Sequence, residues 1–315
     1  MALFWLGTGA VSASDGWVDR RGEPVTEAAV LERLERSDII LLGEVHDSAD
    51  IHARQVELLE SLGNSPLVLA LEQLDLDRKA DLSARDGVVH GDGRELAEAA
   101  GFDDSGWGWE HYGAIFSLAA RQGWPLRPIN LSREAAREIA RDSVDWRLAL
   151  TAEQVDVLDA FAPGLSLPQR HQEALVADLI EVHCGDLDRS FARRIARAQV
   201  ARDVLMADAI LAAREEFPGR RIVAIMGNQH ARLDRGAGYW IEQMVTDRMP
   251  ASHPTTISVG MLPLGKEKAE ELMGRVGDQY DLRLPTEAVD RPPHCEEEPV
   301  SSSSPNTGLV PADAA

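Results

Sequence analysis

Cysteine is nearly absent from this chain, with only Cys184 and Cys295 among its 315 residues. Two widely separated cysteines offer neither a disulfide framework nor a cysteine-based zinc site. They also say little about the redox compartment in which the protein works. Any metal chemistry must therefore come from histidine, aspartate and glutamate side chains.

Positive charge is scarce as well. The sequence has 32 lysines and arginines against 53 aspartates and glutamates, a formal net charge of −21. A protein that binds nucleic acid needs a basic patch that releases counterions from the phosphates. The arginines that do concentrate between Arg189 and Arg202 fit a solvated helix face. We therefore expect no nucleic-acid partner.

Long apolar runs are missing too, and without about 18 consecutive apolar residues no membrane span is predicted. Residues 1–13 form a short apolar stretch that ends in Val11-Ser12-Ala13, a small-residue pattern found where secretory signals are cleaved. No positive segment precedes it. We interpret this stretch either as the rear of a signal peptide or as an apolar N-terminal segment, and no lipid-attachment cysteine follows it.

Hydrophobic residues make up 44% of the chain, enough to bury one large core without a metal or disulfide. Short apolar runs bounded by polar or turn residues are predicted as strands. The first, second and fourth are continuously apolar, which is typical of strands buried on both faces of a mainly parallel sheet. The runs cover residues 38–42, 67–71, 126–129, 221–226 and 256–260.

Helical periodicity fills the intervals between these strands. It covers residues 50–62, 132 to about 143, and 191–217. Strands that alternate with helices require crossover connections, so we expect an α/β fold with a mainly parallel central sheet flanked by helices. A purely helical pattern over about 147–200 predicts an α-helical insertion between the third and fourth predicted strands.

Composition sets the expected domain boundaries. We expect one α/β domain over residues 14–288, preceded by the apolar segment at residues 1–13. From about residue 289 onward acidic residues, serine and proline dominate, and such a segment has too little apolar surface to offset its ordering entropy. Residues 289–315 are therefore predicted to be a disordered acidic, Ser- and Pro-rich tail.

Chemically unusual residues follow directly after the predicted strands. Glu44 and His46 come after the first strand and, two residues apart, share a face in an extended chain. Glu72 ends the second strand, and His230 follows the fourth after Gly227, which permits a sharp bend. Ligands bind at this rim in open α/β sheets. We therefore expect these side chains to form one site.

Two chemistries remain open for these residues. The carboxylate and two imidazoles between Glu44 and His52 have the ligand types of a metal site, although the same residue types also cap helices and line cores. Glu72 is costly to bury alone and needs a cation, a metal or a proton. Its purely structural partner would be a nearby arginine such as Arg78 or Arg127.

Weaker candidates lie elsewhere. Gln199 and Asp203 are four residues apart on one face of a predicted helix, where they would line a ligand site or a polar core network. The aromatic stretch 106–113, with Trp109 and Tyr112, would wall a flat ligand, ligate iron or anchor the core. No serine nucleophile elbow, P-loop, HExxH zinc motif or dinucleotide fingerprint occurs.

Six groups of residues, in order from about residue 37 to 240, carry a family resemblance. They are Leu42-Gly-Glu-Val-His46 with His52, Leu71-Glu-Gln73, Trp109–Tyr112, Arg127-Pro-Ile-Asn-Leu-Ser-Arg133, Gln199–Ala207 and Gly227–Gly236. Together they resemble the ChaN-like family, the haem-binding uptake proteins of the Tiki superfamily. The first and last groups are shared across the superfamily, whereas the fourth and fifth indicate this branch.

The resemblance implies a haem-binding protein that works with haem or iron-uptake machinery, as a homodimer in the periplasm or at the outer membrane. Cationic side chains such as Arg232 or Arg235 would hold the haem propionates. The expected haem-binding residues are His46, His52, Trp109, Tyr112, Asn130, Arg133, Gln199, Asp203, His230 and Arg232. The sequence departs from a lipoprotein-like pattern because it has no lipobox cysteine, and its acidic C-terminal extension has no family counterpart.

A hydrolase is the main alternative. Other branches of the superfamily resemble metal-dependent peptidases and esterases that use the same glutamate and histidine positions. In that case Glu44, His46 and His230 would hold a divalent metal ion and Glu72 would be the general base. A third hypothesis is an interaction module that binds no ligand and uses the helical insertion.

Overall fold

The computed structural model describes residues 16–63, 65–78, 82, 86–89, 91–141, 145–249, 253–264 and 277–289. The predicted signal segment at residues 1–13 and the predicted tail beyond residue 289 lie outside the described residues. The described helices include none that is both long enough and apolar enough to cross a membrane.

One central sheet contains the strands of the described part of the chain, in the spatial order β1-β7-β6-β2-β5-β3-β4. Helices cover both faces, so the expected α/β fold with a central sheet flanked by helices is confirmed. The strands are β1 (Val18–Asp19), β2 (Ile39–Glu44), β3 (Leu67–Asp75), β4 (Leu126–Asn130), β5 (Arg221–Gly227), β6 (Thr256–Leu262) and β7 (Leu282–Pro285).

The sheet is mixed, which corrects the expectation of a mainly parallel sheet. The pairs β2–β5, β2–β6, β3–β4, β3–β5 and β6–β7 are parallel, but β1 pairs with β7 in antiparallel orientation. The sequence did not predict the edge strand β1 or its neighbour β7, because they have only two and four residues. Such short segments lack the apolar run by which a buried strand is recognised.

Two hydrophobic cores lie on opposite faces of the sheet because side chains alternate along each strand. In β2, Ile39 and Leu41 belong to one core, whereas Ile40 and Leu42 belong to the other. All six residues of β2 are buried. The continuous apolar runs predicted from sequence are thus covered on both sides, as expected for inner parallel strands.

Ten helices connect and cover the strands of the described residues. Serine side chains begin two of them, since Ser48 accepts from Ile51 N–H and Ser132 accepts from Ala135 N–H. The helices are α1 (Glu27–Glu35), α2 (Ala49–Ser61), α3 (Gly93–Ala99), α4 (Asp104–Trp107), α5 (Trp109–Gln122), α6 (Arg133–Ala140), α7 (Ala152–Phe161), α8 (Gln169–Val182), α9 (Arg189–Glu216) and α10 (Ala237–Arg248).

Between β4 and β5 the chain is mainly helical, with α6, α7, α8 and the long α9. The 28-residue α9 packs on α6, α8, α10 and β4, and its middle is buried. It thereby carries Asp203 to the end of β5. The helical insertion expected at about residues 147–200 stays a prediction.

Candidate functional site

The site lies at the rim where three neighbouring strands end. β2, β5 and β3 are adjacent and parallel, so their carboxyl ends reach the same edge of the sheet. Glu44 at the end of β2 is directly opposite Gly227 at the end of β5. Glu72 follows Leu71, which is opposite Ile225. The topology therefore brings the predicted rim residues together.

Glu44 is the centre of a first group of side chains, the Glu44 cluster. Its Oε1 accepts hydrogen bonds from the Tyr112 hydroxyl at 2.6 Å and from Gln73 Nε2 at 3.0 Å. His46 Nδ1 lies 2.8 Å from the same oxygen, and His52 Nε2 lies 3.0 Å from Oε2. A carboxylate can only accept, so each facing ring nitrogen donates. Both oxygens of this buried side chain are satisfied.

The neighbouring side chains determine the charge of Glu44. Burial alone would raise its pKa, but the hydrogen bonds and charges of His46 and His52 outweigh burial and hold the pKa well below its usual range. Burial raises the pKa of the Tyr112 phenol, and the neighbouring Glu44 carboxylate raises it further. Glu44 is therefore ionised and Tyr112 neutral at physiological pH, so Glu44 orients its donors.

Glu72 is the centre of a second group, the Glu72 cluster. Its Oε2 accepts a 2.6 Å hydrogen bond from the Gly227 N–H, while its Oε1 lies 3.7 Å from His230 Nε2. This separation is too long for a hydrogen bond. Both atoms are buried and have no hydrogen-bond partner in the described part of the chain. On its other side, His230 Nδ1 lies 2.7 Å from Asp203 Oδ1.

Electrostatics couple the members of the Glu72 cluster. Burial by itself would lower the pKa of His230, but the charges of Asp203 and Glu72 outweigh it and raise that pKa. Burial raises the pKa of Asp203, against the opposing effect of His230. Arg202 lies nearby and is buried, which lowers its pKa despite the attraction of Glu72 and Asp75. The cluster thus brings together several charged groups whose burial costs free energy.

Gly227 joins the two clusters. A Cβ atom at this position would lie 3.3 Å from His46 Nε2 and 3.6 Å from Glu72 Oε2. The glycine therefore permits an imidazole of the first cluster and the carboxylate of the second to approach the same stretch of backbone. The two clusters, which contain Glu44, His46, Glu72 and His230, are therefore contiguous.

Several predicted site residues lie outside this pair of clusters. Trp109 stacks on Phe116 in the core, with ring centroids 6.2 Å apart, and carries the Arg94 guanidinium on its ring at 4.3 Å. Gln199 is half-buried on α9, and its Oε1 is without a hydrogen-bond partner among the described residues. Asn130 contributes to a neighbouring cavity instead.

The two arginines expected to hold propionates are engaged in internal ion pairs. Arg232 donates to both carboxylate oxygens of Asp234, at 2.8 and 2.7 Å. Arg235 pairs with Asp178 and donates to Gln229 Oε1 at 2.9 Å. Both arginines are buried, so neither guanidinium is presented at the rim.

Of the two arginines considered as purely structural partners of Glu72, Arg127 does not take that role. Arg127 instead donates to Asp86 and Glu216, at 2.7 and 2.6 Å. The side chain of Arg78 lies outside the description. Glu72 instead accepts from the Gly227 N–H and lies near His230.

Two neighbours of the site were not predicted as members. Gln73 bonds to Glu44, although in the sequence it is only the residue after Glu72. Trp107 lies edge-on to the His46 ring, with centroids 5.0 Å apart. It belongs to the aromatic stretch 106–113, which also contains Trp109 and Tyr112. The proximity of Gly106-Trp107 to the histidine motif is a tertiary contact that no local pattern encodes.

No group of three or more His, Cys, Asp or Glu residues among those described could hold a metal ion. The predicted metal set of Glu44, His46 and His230 is divided between the two clusters. Glu44 also has both of its oxygens committed to protein donors. Among the described carboxylates at the rim, Glu72 has a buried oxygen that is left unsatisfied.

A cavity of about 220 Å³ opens next to the Glu44 cluster, where β3 and β4 end. Gln73, Trp107, Asn130 and Arg133 contribute to its wall. Arg133 donates to the Gly106 carbonyl at 3.1 Å, and its guanidinium lies 5.7 Å from the centre of the Trp107 ring. Trp107 therefore contacts both this cavity and the His46 ring.

Comparison with known proteins gives one family match. The sequence model described as haem-binding uptake, Tiki superfamily, ChaN matches residues 30–241. No match is found among curated protein sequences. A solved structure of ChaN from Campylobacter jejuni, described as showing cofacial haem binding, is 17% identical and covers 86% of this chain and 96% of that one, with a TM-score of 0.61. At this identity the likeness shows the shared fold.

Two further structures are more distant. An erythromycin esterase, EreC, in an open conformation is 16% identical over 79% of this chain and 77% of that chain, with a TM-score of 0.42. The type III effector HopBA1 is 11% identical over 88% of this chain and 100% of its own length, with a TM-score of 0.43. Likeness at this level carries no argument about function.

Proposed function

The chain belongs to the haem-binding uptake family ChaN of the Tiki superfamily, which confirms the resemblance seen in the sequence, and we propose that it binds haem through His46. The observation that carries this proposal is the 2.8 Å contact between His46 Nδ1 and the ionised Glu44. The contact places a proton on Nδ1, so in the neutral ring the lone pair is on Nε2, the arrangement in which a neighbouring carboxylate orients an iron-binding imidazole.

Exposure also favours His46 over the other rim histidines. Its side chain is 28% exposed, against 6% for His52 and 2% for His230. The neighbouring Trp107 ring offers an apolar wall beside it, suited to a flat macrocycle. Iron supplies the coordination chemistry when haem is bound, and the protein supplies the ligand and its orientation.

Tyr112 fits an axial role poorly. A phenol ligates ferric iron after losing its proton, whereas the Tyr112 hydroxyl donates to Glu44 at 2.6 Å and has a raised pKa. The side chain is also 1% exposed. We assign Tyr112 to holding Glu44.

The cavity beside Trp107 is too small to enclose a porphyrin, because pockets that bury drug-sized ligands run from about 300 to 1,000 Å³. Haem would therefore contact His46 from the open side of the rim. We further propose, from family membership alone, a role in haem or iron uptake in the periplasm or at the outer membrane, with the protein acting as a homodimer.

A haemin titration tests the proposal. We expect a Soret shift at micromolar haemin in the wild type, a much weaker shift in His46→Ala, and a retained shift in Tyr112→Phe. His253→Ala is the matched control, since this histidine is 49% exposed and pairs with Glu242 away from the rim. An unchanged shift in His46→Ala, or a lost one in Tyr112→Phe, would contradict the assignment.

We propose hydrolysis as a second function, carried by the unsatisfied Glu72 Oε1 and His230 Nε2. These atoms lie 3.7 Å apart, so one water or divalent ion would contact both. Glu72 would then act as general base while Asp203 holds His230. A divalent ion, when bound, would polarise the water.

An esterase and peptidase panel with Mn, Co or Zn supplied tests this second function. We expect turnover by the wild type that falls by about 100-fold or more in Glu72→Gln and in His230→Gln. Turnover should be insensitive to His253→Ala. Inert wild-type protein under all three metals counts against hydrolysis and leaves the haemin titration unaffected.

A further inference from the structure

Helix α4 carries the Trp107 ring that lies against His46, but the helix has little to hold it in place. It has only four residues and none of them is buried, and a helix this short has no stability of its own. At Gly108, where φ is 78°, the chain turns before α5 begins, so α4 is not an extension of that longer helix. Contacts from side chains elsewhere in the fold must therefore help to set the position of Trp107.

Packing does not fix the Trp107 ring by itself. Trp107 is half-buried, and its ring meets His46 edge-on with centroids 5.0 Å apart and Tyr112 edge-on at 6.1 Å. The same side chain also borders the cavity of about 220 Å³ at the ends of β3 and β4. A side chain next to open space has fewer partner atoms around it, so the ring needs a further contact to keep one orientation.

Arg133, at the start of α6, supplies such a contact. Its Nη2 donates to the Gly106 carbonyl at 3.1 Å, and its guanidinium carbon lies 5.7 Å from the centre of the Trp107 ring, within the range of a cation–π interaction. A Cβ atom at Gly106 would lie 3.3 Å from the same Nη2, so the absence of a side chain there lets the guanidinium approach the backbone. One side chain thereby holds both the peptide before Trp107 and the indole itself.

Other polar contacts hold the beginning of α4 rather than its end. Asp104, the first residue of the helix, accepts from Trp109 N–H at 2.7 Å and from Arg94 Nη1 at 3.0 Å. The Arg94 and Asp104 side chains are 44% and 50% exposed, and ion pairs this exposed contribute little. Arg133 instead contacts the last two residues of the helix, one of them through a partly buried charge-assisted hydrogen bond.

We propose that Arg133 is a positioning residue of the haem site, which holds Trp107 against His46 and does not itself contact the haem. The inference rests on the haem-binding function proposed above. With the indole held, the apolar wall beside His46 is in place before a flat ligand arrives, so less ordering is required on binding. This role differs from the direct contact with haem that the family resemblance implies for Arg133.

NMR of the ligand-free protein tests the contact itself. In Arg133→Gln the indole should leave its place against His46, so the His46 ring proton signals should shift because the ring current of Trp107 changes. The signals of His253, which is 49% exposed, should stay in place. Arg137→Gln is the matched control, an equal change of charge at an exposed position one turn further along α6. His46 signals that stay unchanged in Arg133→Gln, or that shift equally in Arg137→Gln, would overturn the proposal.

Two forms of haem distinguish positioning from a direct contact with the propionates. Haemin carries charged propionates, whereas in iron protoporphyrin IX dimethyl ester they are esterified and neutral. If Arg133 acts through Trp107, Arg133→Gln should weaken the binding of both forms by about three- to tenfold, with the Soret band of the saturated protein unchanged in position. A loss confined to haemin would make Arg133 a propionate ligand and overturn the positioning role.

A double-mutant cycle shows whether the two residues act as one unit. Trp107→Leu removes the ring and should weaken haemin binding at least as much as Arg133→Gln does, because the guanidinium then has no ring to position. The double variant should bind haemin no more weakly than Trp107→Leu alone, whereas additive losses would overturn the proposal.

The outcome stays decisive if one arm of the experiment fails. If Arg133→Gln does not fold, Arg133→Lys replaces it, since lysine keeps the charge but lacks the planar fork and should give a smaller change of the same kind. If the wild type binds no haemin, the function proposed above fails, and the His46 signals of the ligand-free protein still decide the role of Arg133.

Discussion

The two clusters at the rim use the same residue types but differ in how completely they are satisfied. Glu44 receives hydrogen bonds on both oxygens from four side chains. Glu72 accepts one from Gly227 N–H, and its Oε1 faces His230 Nε2 without a partner in the described residues. A satisfied buried carboxylate holds its neighbours, whereas an unsatisfied one gains from a ligand or a proton. Glu44 is therefore placed to orient its neighbours, whereas Glu72 has an oxygen left for a ligand or a proton.

The largest expected effect comes from neutralising the satisfied carboxylate. Glu44→Gln replaces an acceptor of four hydrogen bonds by an amide whose NH₂ opposes donors, so the free energy of unfolding should fall by about 3–5 kcal/mol. Denaturant unfolding measures it. Glu215→Gln, an exposed position on α9, is the control and should change stability by no more than about 0.5 kcal/mol. A Glu44→Gln protein as stable as this control would remove the distinction between the clusters.

The stabilisation that each cluster provides should depend on pH in opposite ways. The pKa of Glu44 is lowered from 4.5, so its stabilisation is present above about that pH and is lost as pH falls through the folded-state pKa. The pKa of His230 is raised from 6.5, so its stabilisation is present below that pH and is lost as pH rises through the folded-state pKa.

Unfolding measured across pH therefore separates two variants. The deficit of Glu44→Gln relative to wild type should shrink toward acid pH, and the deficit of His230→Gln should shrink toward alkaline pH. Deficits that run in parallel would mean that one coupled network, rather than two clusters, sets stability.

A smaller effect is expected where the clusters meet. In Gly227→Ala the new methyl group would lie 3.3 Å from His46 Nε2, so the partly exposed imidazole must shift by a few tenths of an ångström. We expect a loss of about 1 kcal/mol in stability and a clearly weaker haemin affinity. Gly91→Ala is the control, because nothing lies within 4 Å of its Cβ position. Unchanged haemin binding in Gly227→Ala would mean that the two clusters are not coupled through this position.

The sequence predicted the inner strands and the residues at their ends, because continuous apolar runs and a polar residue just after each run are local signals. It did not predict the edge strand β1 or its neighbour β7, whose few residues carry no such signal. Nor did it predict the partner of Glu72, since the Gly227 N–H reaches it only through the pairing of β3 with β5.

Arginine roles were the hardest to assign from sequence. Arg232 was expected to bind a haem propionate, but its guanidinium Nε and Nη2 donate to Asp234, two residues away. Arg235 reaches Asp178 on α8, a contact that depends on how that helix packs. Charge pairing of this kind is decided by the tertiary arrangement, whereas the position of a strand end is decided locally.

The smallest expected change makes the same isosteric substitution in the other cluster. In Glu72→Gln the amide oxygen still accepts from Gly227 N–H, and the amide NH₂ takes the place of the unsatisfied Oε1. Removing a buried charge then offsets its lost attraction to His230, so unfolding should change by less than about 1 kcal/mol. Denaturant unfolding beside Glu44→Gln measures it. A loss as large as that of Glu44→Gln would make Glu72 a second structural carboxylate and remove the observation on which hydrolysis rests.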